Sequence, residues 1–267
     1  MASQGWGDLR EPTPDASAGD GPVRCARTIL TARSGPAFSS AKLIGPNDLQ
    51  EPSVSAFAEP DLPLSARGSQ RHKDLIAAAL RVLVRDGHHA VTLRAVSVEA
   101  NASHGSVNYY FGSRSALMCA VAEDVCRRIA NNITLVTPKL VKCADDPDRF
   151  ATVLAEHNIK YMVNDHAMGM AITELSLAGS RDQELGSVLV KWGKTHARLM
   201  RDSFLKLGSR DPDLDYAFVL NCVSGLIMAQ LAIPRRDFEA RILQPSLLRL
   251  VRAIASEKPD NRAGEIS

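Results

Sequence analysis

Residues 92–114 read TLRAVSVEANASHGSVNYYFGSR, and how this stretch is read decides the fold. Thr92 carries a hydroxyl suited to the free N–H groups of a first helical turn. Leu93, Val96 and Ala100 then fall on one side at helical spacing. Asn101 follows, a residue type that tolerates positive φ. Ser103 is a second N-cap, and Val107 and Phe111 recur four residues apart behind it. Two helices joined by about three residues, with a turn residue at home in the left-handed region, form a helix-turn-helix. The second helix is too short and polar for a core helix, because His104, Ser106, Asn108, Tyr109 and Tyr110 all donate or accept hydrogen bonds. Such an outward face suits the major groove of duplex DNA.

The run from Gly105 to Leu117, GSVNYYFGSRSAL, resembles the recognition-helix signature of the tetracycline-repressor (TetR) family of bacterial transcriptional regulators. The resemblance extends back through Arg71–Gly87 and Thr92–Ala102, over about 45 positions. Four positions depart from the family pattern: Asn101 stands for a turn glycine, Asn108 for a tyrosine, Tyr110 for a histidine and Arg114 for a lysine. The resemblance implies a DNA-binding head, a linking helix and a larger body whose C-terminal helices pair two copies. It also implies a small-molecule inducer held in the body, with the ligand-free state as the DNA-binding one, hence a repressor.

Working outward, Ser69 to about Asp86 is predicted as the first helix. Ile76, Leu80, Leu83 and Val84 are its expected apolar stripe, and Gly87 its stop. His88 and His89 read as loop surface, since no nearby Cys, Asp or Glu completes a metal site. A long helix is expected from a Ser113 N-cap to about Leu135, with Leu117, Val121, Val125 and Ile129 as its stripe. Further on, prolines at 138, 147, 212, 234, 245 and 259 divide the chain into helical blocks. These run over Asp148–Asn164, about Met168–Ala178, roughly Asp182–Leu207, Asp213–Ile233 and about Asp237–Ser256. Pro245 is expected to kink the last block or start a new helix. No alternating strand pattern competes. The fold class is therefore all-α: a three-helix head at 69–113, and a larger helical body at 114–257 for effector binding and dimerisation.

Position on the two short helices assigns His104, Ser106 and Asn108 to base edges. Arg94, Tyr109, Tyr110 and Arg114 are assigned to phosphates, with Thr92, Ser103 and Gly105 completing the DNA-facing set. One of the two tyrosines packing on the first helix is the alternative. Asp213–Ile233 is apolar nearly all round, so it and Ser246–Ala255 are expected to pair with a second copy; otherwise they are the monomer's own core. A homodimer suits a palindromic operator. Tyr161, Met170, Glu174, Trp192, His196 and Asn221 are the candidates for lining an inducer pocket, with Met162, Phe204 and Met228 beside them. Trp192 and His196, one turn apart, are the best pair. The same residue types also build ordinary cores.

Composition limits the remaining possibilities. The chain has 267 residues, 45% of them hydrophobic, and a net charge of only +2. Between Ser69 and Val136 eight Lys/Arg stand against five Asp/Glu, a modest excess of the sign that phosphates attract. The five cysteines form no CxxC pair, which points to reduced thiols in a cytoplasmic protein. Cys119 and Cys126 lie seven residues apart, roughly 10 Å along a helix, too far for a bond within it. No secretory signal is visible, and no 18-residue stretch lacks a polar break, so no membrane span is expected. Residues 1–68 hold eight of the 14 prolines and seven of the 17 glycines and read as a disordered extension; 258–267 read as a disordered tail. Gly193-Lys194-Thr195 resembles the end of a phosphate loop, but Val188 occupies the place of the required glycine. With no HExxH, GxSxG or GxGxxG either, neither an enzyme nor a cofactor is expected. A constitutive DNA-binding regulator without a ligand is the second reading.

Overall fold

A computed structural model of the chain describes residues 66–256, and all regular structure among them is helical. The head comprises α1 (Ala66–Asp86), a 3₁₀ turn (His88–Ala90), α2 (Leu93–Glu99) and α3 (His104–Phe111). The body comprises α4 (Arg114–Lys142), α5 (Pro147–Asn158), α6 (His166–Gly179), α7 (Gln183–Leu207), α8 (Pro212–Ala232) and α9 (Gln244–Ala255). Single π turns at Ile159–Val163 and Glu239–Leu243 extend α5 and precede α9. The extension and tail expected from composition lie outside the described residues, except that Ala66–Gly68 already belong to α1.

Most helices begin where a short polar side chain accepts from the first turn. Thr92, Ser103, Ser113, Asp146, Asp165, Asp182 and Asp211 all do so. Asn101 sits at φ 46, the one non-glycine residue with positive φ among those described, and makes the turn between α2 and α3.

The core side of α1 is rotated from the expected stripe. Leu75, Ala78, Ala79, Val82 and Leu83 are buried, while Ile76, Leu80 and Val84 flank them. The reason lies in what α1 packs on: α2, α4 and α6 cover it from different sides, and small alanines let them approach closely. His88, expected at the loop surface, is buried at 6% exposure.

The linking helix α4 does not stop before Pro138 but runs through it to Lys142. Proline removes one N–H from the ladder, at a cost that the flanking burial offsets. Ile133, Val136 and Leu140 are buried on both sides of it, chiefly against α7. The last block begins its regular helix at Gln244 with Pro245 in the first turn, where a missing N–H costs nothing.

The apolar side of α9 (Leu247, Val251 and Ile254) is buried within this chain, with α5 as its main neighbour. Arg252 Nε donates to Asp148 Oδ1 across that contact at 2.8 Å. On α8 only Tyr216, Val219, Val223, Ile227 and the first-turn Pro212 are buried. Leu214, Phe218, Met228 and, just past its end, Ile233 stand exposed. By length and mean hydropathy α8 is apolar enough to cross a membrane, although Asn221, Ser224 and Gln230 interrupt it as the sequence reading noted and the aspartates of its first turn lie at the helix end. Its inner face is nonetheless packed on the body's own helices.

Candidate functional site

Two places carry chemistry, the outer face of α3 and a cavity in the body. On α3, Val107 and Phe111 are buried, and His72 of α1 stacks on Phe111 at 5.1 Å. The opposite side is open: His104, Gly105, Asn108 and Tyr109 are exposed and Ser106 is half-buried. Thr92 and Arg94 on α2 are exposed as well. The hydroxyls of Thr92 and Ser103 accept from Ala95 N and Ser106 N, both at 3.1 Å. Each therefore shapes a helix end before it meets anything else.

Of the residues assigned to phosphates, Tyr110 and Arg114 also make contacts within the head. Tyr110 is half-buried, its ring 5.8 Å from His72, while Tyr109 stands 72% exposed. Neighbours on a helix point about 100° apart, which turns Tyr109 to solvent and Tyr110 toward α1. Arg114 donates from Nε to Val91 O at 2.8 Å and from Nη2 to His88 O. It brackets the 3₁₀ turn to the start of α4 through two of its N–H groups, while the residue itself remains exposed.

The α1–α2 pair is fixed by Glu99, which accepts from Arg81 Nε at 2.7 Å and Arg85 Nη1 at 2.9 Å. These hydrogen bonds hold its carboxyl below the usual range.

Head and body meet at His88. Glu174 of α6 accepts from His88 N at 2.9 Å and from His88 Nδ1 at 2.6 Å. Burial works against the Glu174 carboxylate, but the side-chain and backbone hydrogen bonds from His88 outweigh it and keep the group ionised. Gly87, at φ 81, gives the chain the turn that presents this N–H. Alongside, Ser115 Oγ donates to Asp182 Oδ2 at 2.8 Å, tying the start of α4 to the cap of α7.

The body holds a cavity of about 430 Å³ walled by α4, α5, α6, α7 and α8. Trp192 and His196 both line it, their rings stacked at 5.1 Å, and Met162, Phe204 and Met228 join them. Tyr161, Met170, Glu174 and Asn221 are not among the lining residues. Tyr161 turns toward His157 and Lys160, Glu174 faces the head, and Asn221 lies exposed with its amide donating to Ala217 O. Met170 is half-buried elsewhere on α6.

The lining also includes His157, Thr173 and Tyr216, which the sequence reading missed. The Tyr216 hydroxyl and His196 Nδ1 share a hydrogen bond between α8 and α7, and no local pattern announces such a pair. Burial pushes the His196 pKa down to about 3 and the His157 pKa down to about 4, the latter helped by Lys139 and Lys160. Burial raises that of Tyr216. All three are thus neutral near pH 7. Gly169 lets α6 pass close to the π turn, since a Cβ there would run into Met162 O.

Comparison with known proteins agrees with this geometry. The family model described as bacterial regulatory proteins, tetR family, matches residues 75–121. A second, the tetracyclin repressor-like C-terminal domain, matches 145–256. A nicotine-responsive transcriptional repressor, HdnoR of Paenarthrobacter nicotinovorans, is 29% identical over 118 residues, 44% of this chain and 59% of that protein. The transcriptional regulator BetI of Vibrio atlanticus is 33% identical over 64 residues, 24% of this chain and 32% of its own length. The matches thus span less than two thirds of each of these relatives. Among solved structures, a transcriptional regulator from Rhodococcus sp. Rha1 superposes with a TM-score of 0.58 at 16% identity, covering 69% of this chain and 96% of the other. The multidrug binding protein EbrR, complexed with ethidium, gives 0.55 at 23% identity, covering 67% and 98%. These last two speak for the fold.

Proposed function

This chain belongs to the tetR family of DNA-binding transcriptional regulators, and from that premise we propose that it is a dimeric, cytoplasmic repressor of a palindromic operator, released by a small molecule in the body cavity. The observation that carries this reading is one helix with two duties. α6 turns Ile172, Thr173, Ser176 and Leu177 to the cavity and Glu174 to the head at His88. A ligand that binds better to one position of α6 shifts the population of head orientations by its difference in affinity, and by no more than that.

On DNA, His104, Ser106 and Asn108 read base edges, while Thr92, Arg94, Ser103, Gly105 and Tyr109 engage the backbone. The exposure of this side of α3 supports the assignment. The exposed stripe of α8, Leu214, Phe218 and Met228, supports pairing with a second copy. α9 has less apolar surface to offer, because its apolar side is already covered within the chain. That HdnoR is nicotine-responsive and EbrR is a multidrug binding protein supports a ligand in this cavity, without naming it.

The test begins with selection of sites from random duplexes. Inverted repeats with half-sites a helical turn or more apart are the expected product. Asn108→Ala then relaxes preference at one base in each half-site, by about 1–3 kcal/mol. Enrichment of no symmetric sequence would count against the proposal. A regulator that binds DNA constitutively, the second reading, would keep its operator in the presence of every cavity ligand.

A further inference from the structure

We infer that a second copy of this chain closes the body cavity, with the partner's Phe218 as its lid, so that a cavity ligand is held by the dimer and only weakly by the single chain. This rests on the pairing through α8 proposed above and states what that pairing does to the site.

In one chain the cavity is open on one side. Five of its lining residues are exposed: Ser176 and Leu177 on α6, and Ser224, Gly225 and Met228 on α8. Small-molecule sites bury about 70–90% of their ligand, and a rim of this kind leaves apolar atoms of the ligand in water. Gly225 and Met228 also belong to a second pattern. Leu214, Phe218, Asn221, Gly225, Met228 and Ala232 follow one another at alternate steps of four and three residues, and all six are exposed. Such steps average about 3.5 residues, the period at which one helix faces another along its length.

The pattern reads alike from either end. Laid antiparallel about a twofold axis, α8 sets Leu214 against the partner's Ala232, Phe218 against the partner's Met228 and Asn221 against the partner's Gly225. Each larger side chain there meets a small or flexible one, and a Cβ at Gly225 would touch nothing within 4 Å, which leaves room for an amide. Charge selects the direction. Asp213 and Asp215 stand in the first turn of α8, and Arg235 and Arg236 follow its end. An antiparallel pair sets opposite signs together at both ends, whereas a parallel pair sets like signs together. In the antiparallel register the partner's Phe218 lies over Met228 at the cavity rim, and the partner's Asn221 over Gly225. Each copy thus covers the other's cavity, and ligand binding and pairing strengthen each other.

Titration of the full chain with N-phenyl-1-naphthylamine, a neutral apolar fluorophore, tests this while sedimentation velocity reports the oligomeric state. The wild-type dimer is expected to bind the probe. Leu214→Asp with Ala232→Asp sets like charges together at both ends of the pairing, on exposed positions that do not line the cavity. This variant is expected to sediment as a monomer, keep its helical circular dichroism and bind the probe at least ten-fold more weakly. Phe218→Ala, at a concentration where it sediments as a dimer, should bind about five-fold more weakly. A monomer that binds as tightly as the dimer, or a dimeric Phe218→Ala of unaltered affinity, overturns the inference and leaves pairing through α8 in place. A wild type that is monomeric, or a doubly substituted chain that stays dimeric, overturns that pairing and the inference together. A wild-type dimer that does not bind the probe overturns the inference along with the effector-site reading.

Discussion

On α3, Val107 is fully buried while its neighbour Asn108 stands in solvent; on α7, Trp192 is turned to a cavity. The head is closed inside and makes its function from what it shows. Its caps and its Asn101 turn leave little freedom for the angle between α2 and α3, and the Glu99 ion pairs fix α2 on α1. A reader of base edges needs that rigidity, because hydrogen bonds to bases fail when donors are misplaced by an ångström. The body is packed at its ends and hollow at its centre, and on the proposed reading makes its function from what it encloses. A helix beside a cavity can take two positions, whereas a close-packed core cannot.

The largest break in this contrast comes from the head's own core. Phe111→Ala should cost about 3–5 kcal/mol. Operator binding is expected to disappear while binding of a cavity probe, followed by dialysis, persists. Loss of both would mean that the two regions fold as one unit.

Next in size is the joint between them. Glu174→Ala strands two donors of the mostly buried His88, at on the order of 3 kcal/mol. The measurement that isolates its role is the ratio of operator affinities with and without ligand. That ratio is expected to collapse toward one, with operator half-sites unchanged. An unaltered ratio would remove α6 from the mechanism.

The body should register mild acid. His196 titrates at about 3 when folded, below the ordinary imidazole value near 6.5. Its unfolded form therefore binds protons first as pH falls, and stability drops from about pH 6.5 downward until the folded group also protonates near pH 3. At pH 5 the loss is about 2 kcal/mol from this residue. Thermal unfolding of the double variant His196→Phe with Tyr216→Phe, which leaves no orphaned hydroxyl, should show a flatter profile across that window.

The smallest effect separates two arginines. Arg94→Ala should reduce the slope of log affinity against log salt by about one unit. Arg114→Ala should leave the slope unchanged and lower the melting temperature instead, since its donors hold Val91 O and His88 O. The reverse result would put Arg114 on the phosphates after all.

Much of the head is legible from sequence because its rules are local. An N-cap acts over three residues, a left-handed turn over one, and a buried stripe over two turns; Thr92, Asn101 and Ser103 announce themselves within their own neighbourhoods. Legibility fails where a side chain has a choice of partner. Glu174 reads as a pocket residue on an apolar helix, and its partner His88 is 86 positions away. Arg114 reads as a phosphate ligand, and nothing local announces its bonds to Val91 O and His88 O, 23 and 26 positions away.

The amino-acid order alone determined the all-helical class, the helix-turn-helix, the face of α3 turned outward and most helix boundaries, because hydrophobic period and capping chemistry are written in consecutive residues. Tertiary structure alone decided that α4 continues through Pro138, that Trp192 and Tyr216 share one cavity wall with His196, and that α6 joins cavity to head. Those outcomes depend on which helices pack together, and packing of distant segments is settled by shape and burial across the whole fold rather than by any short stretch of chain.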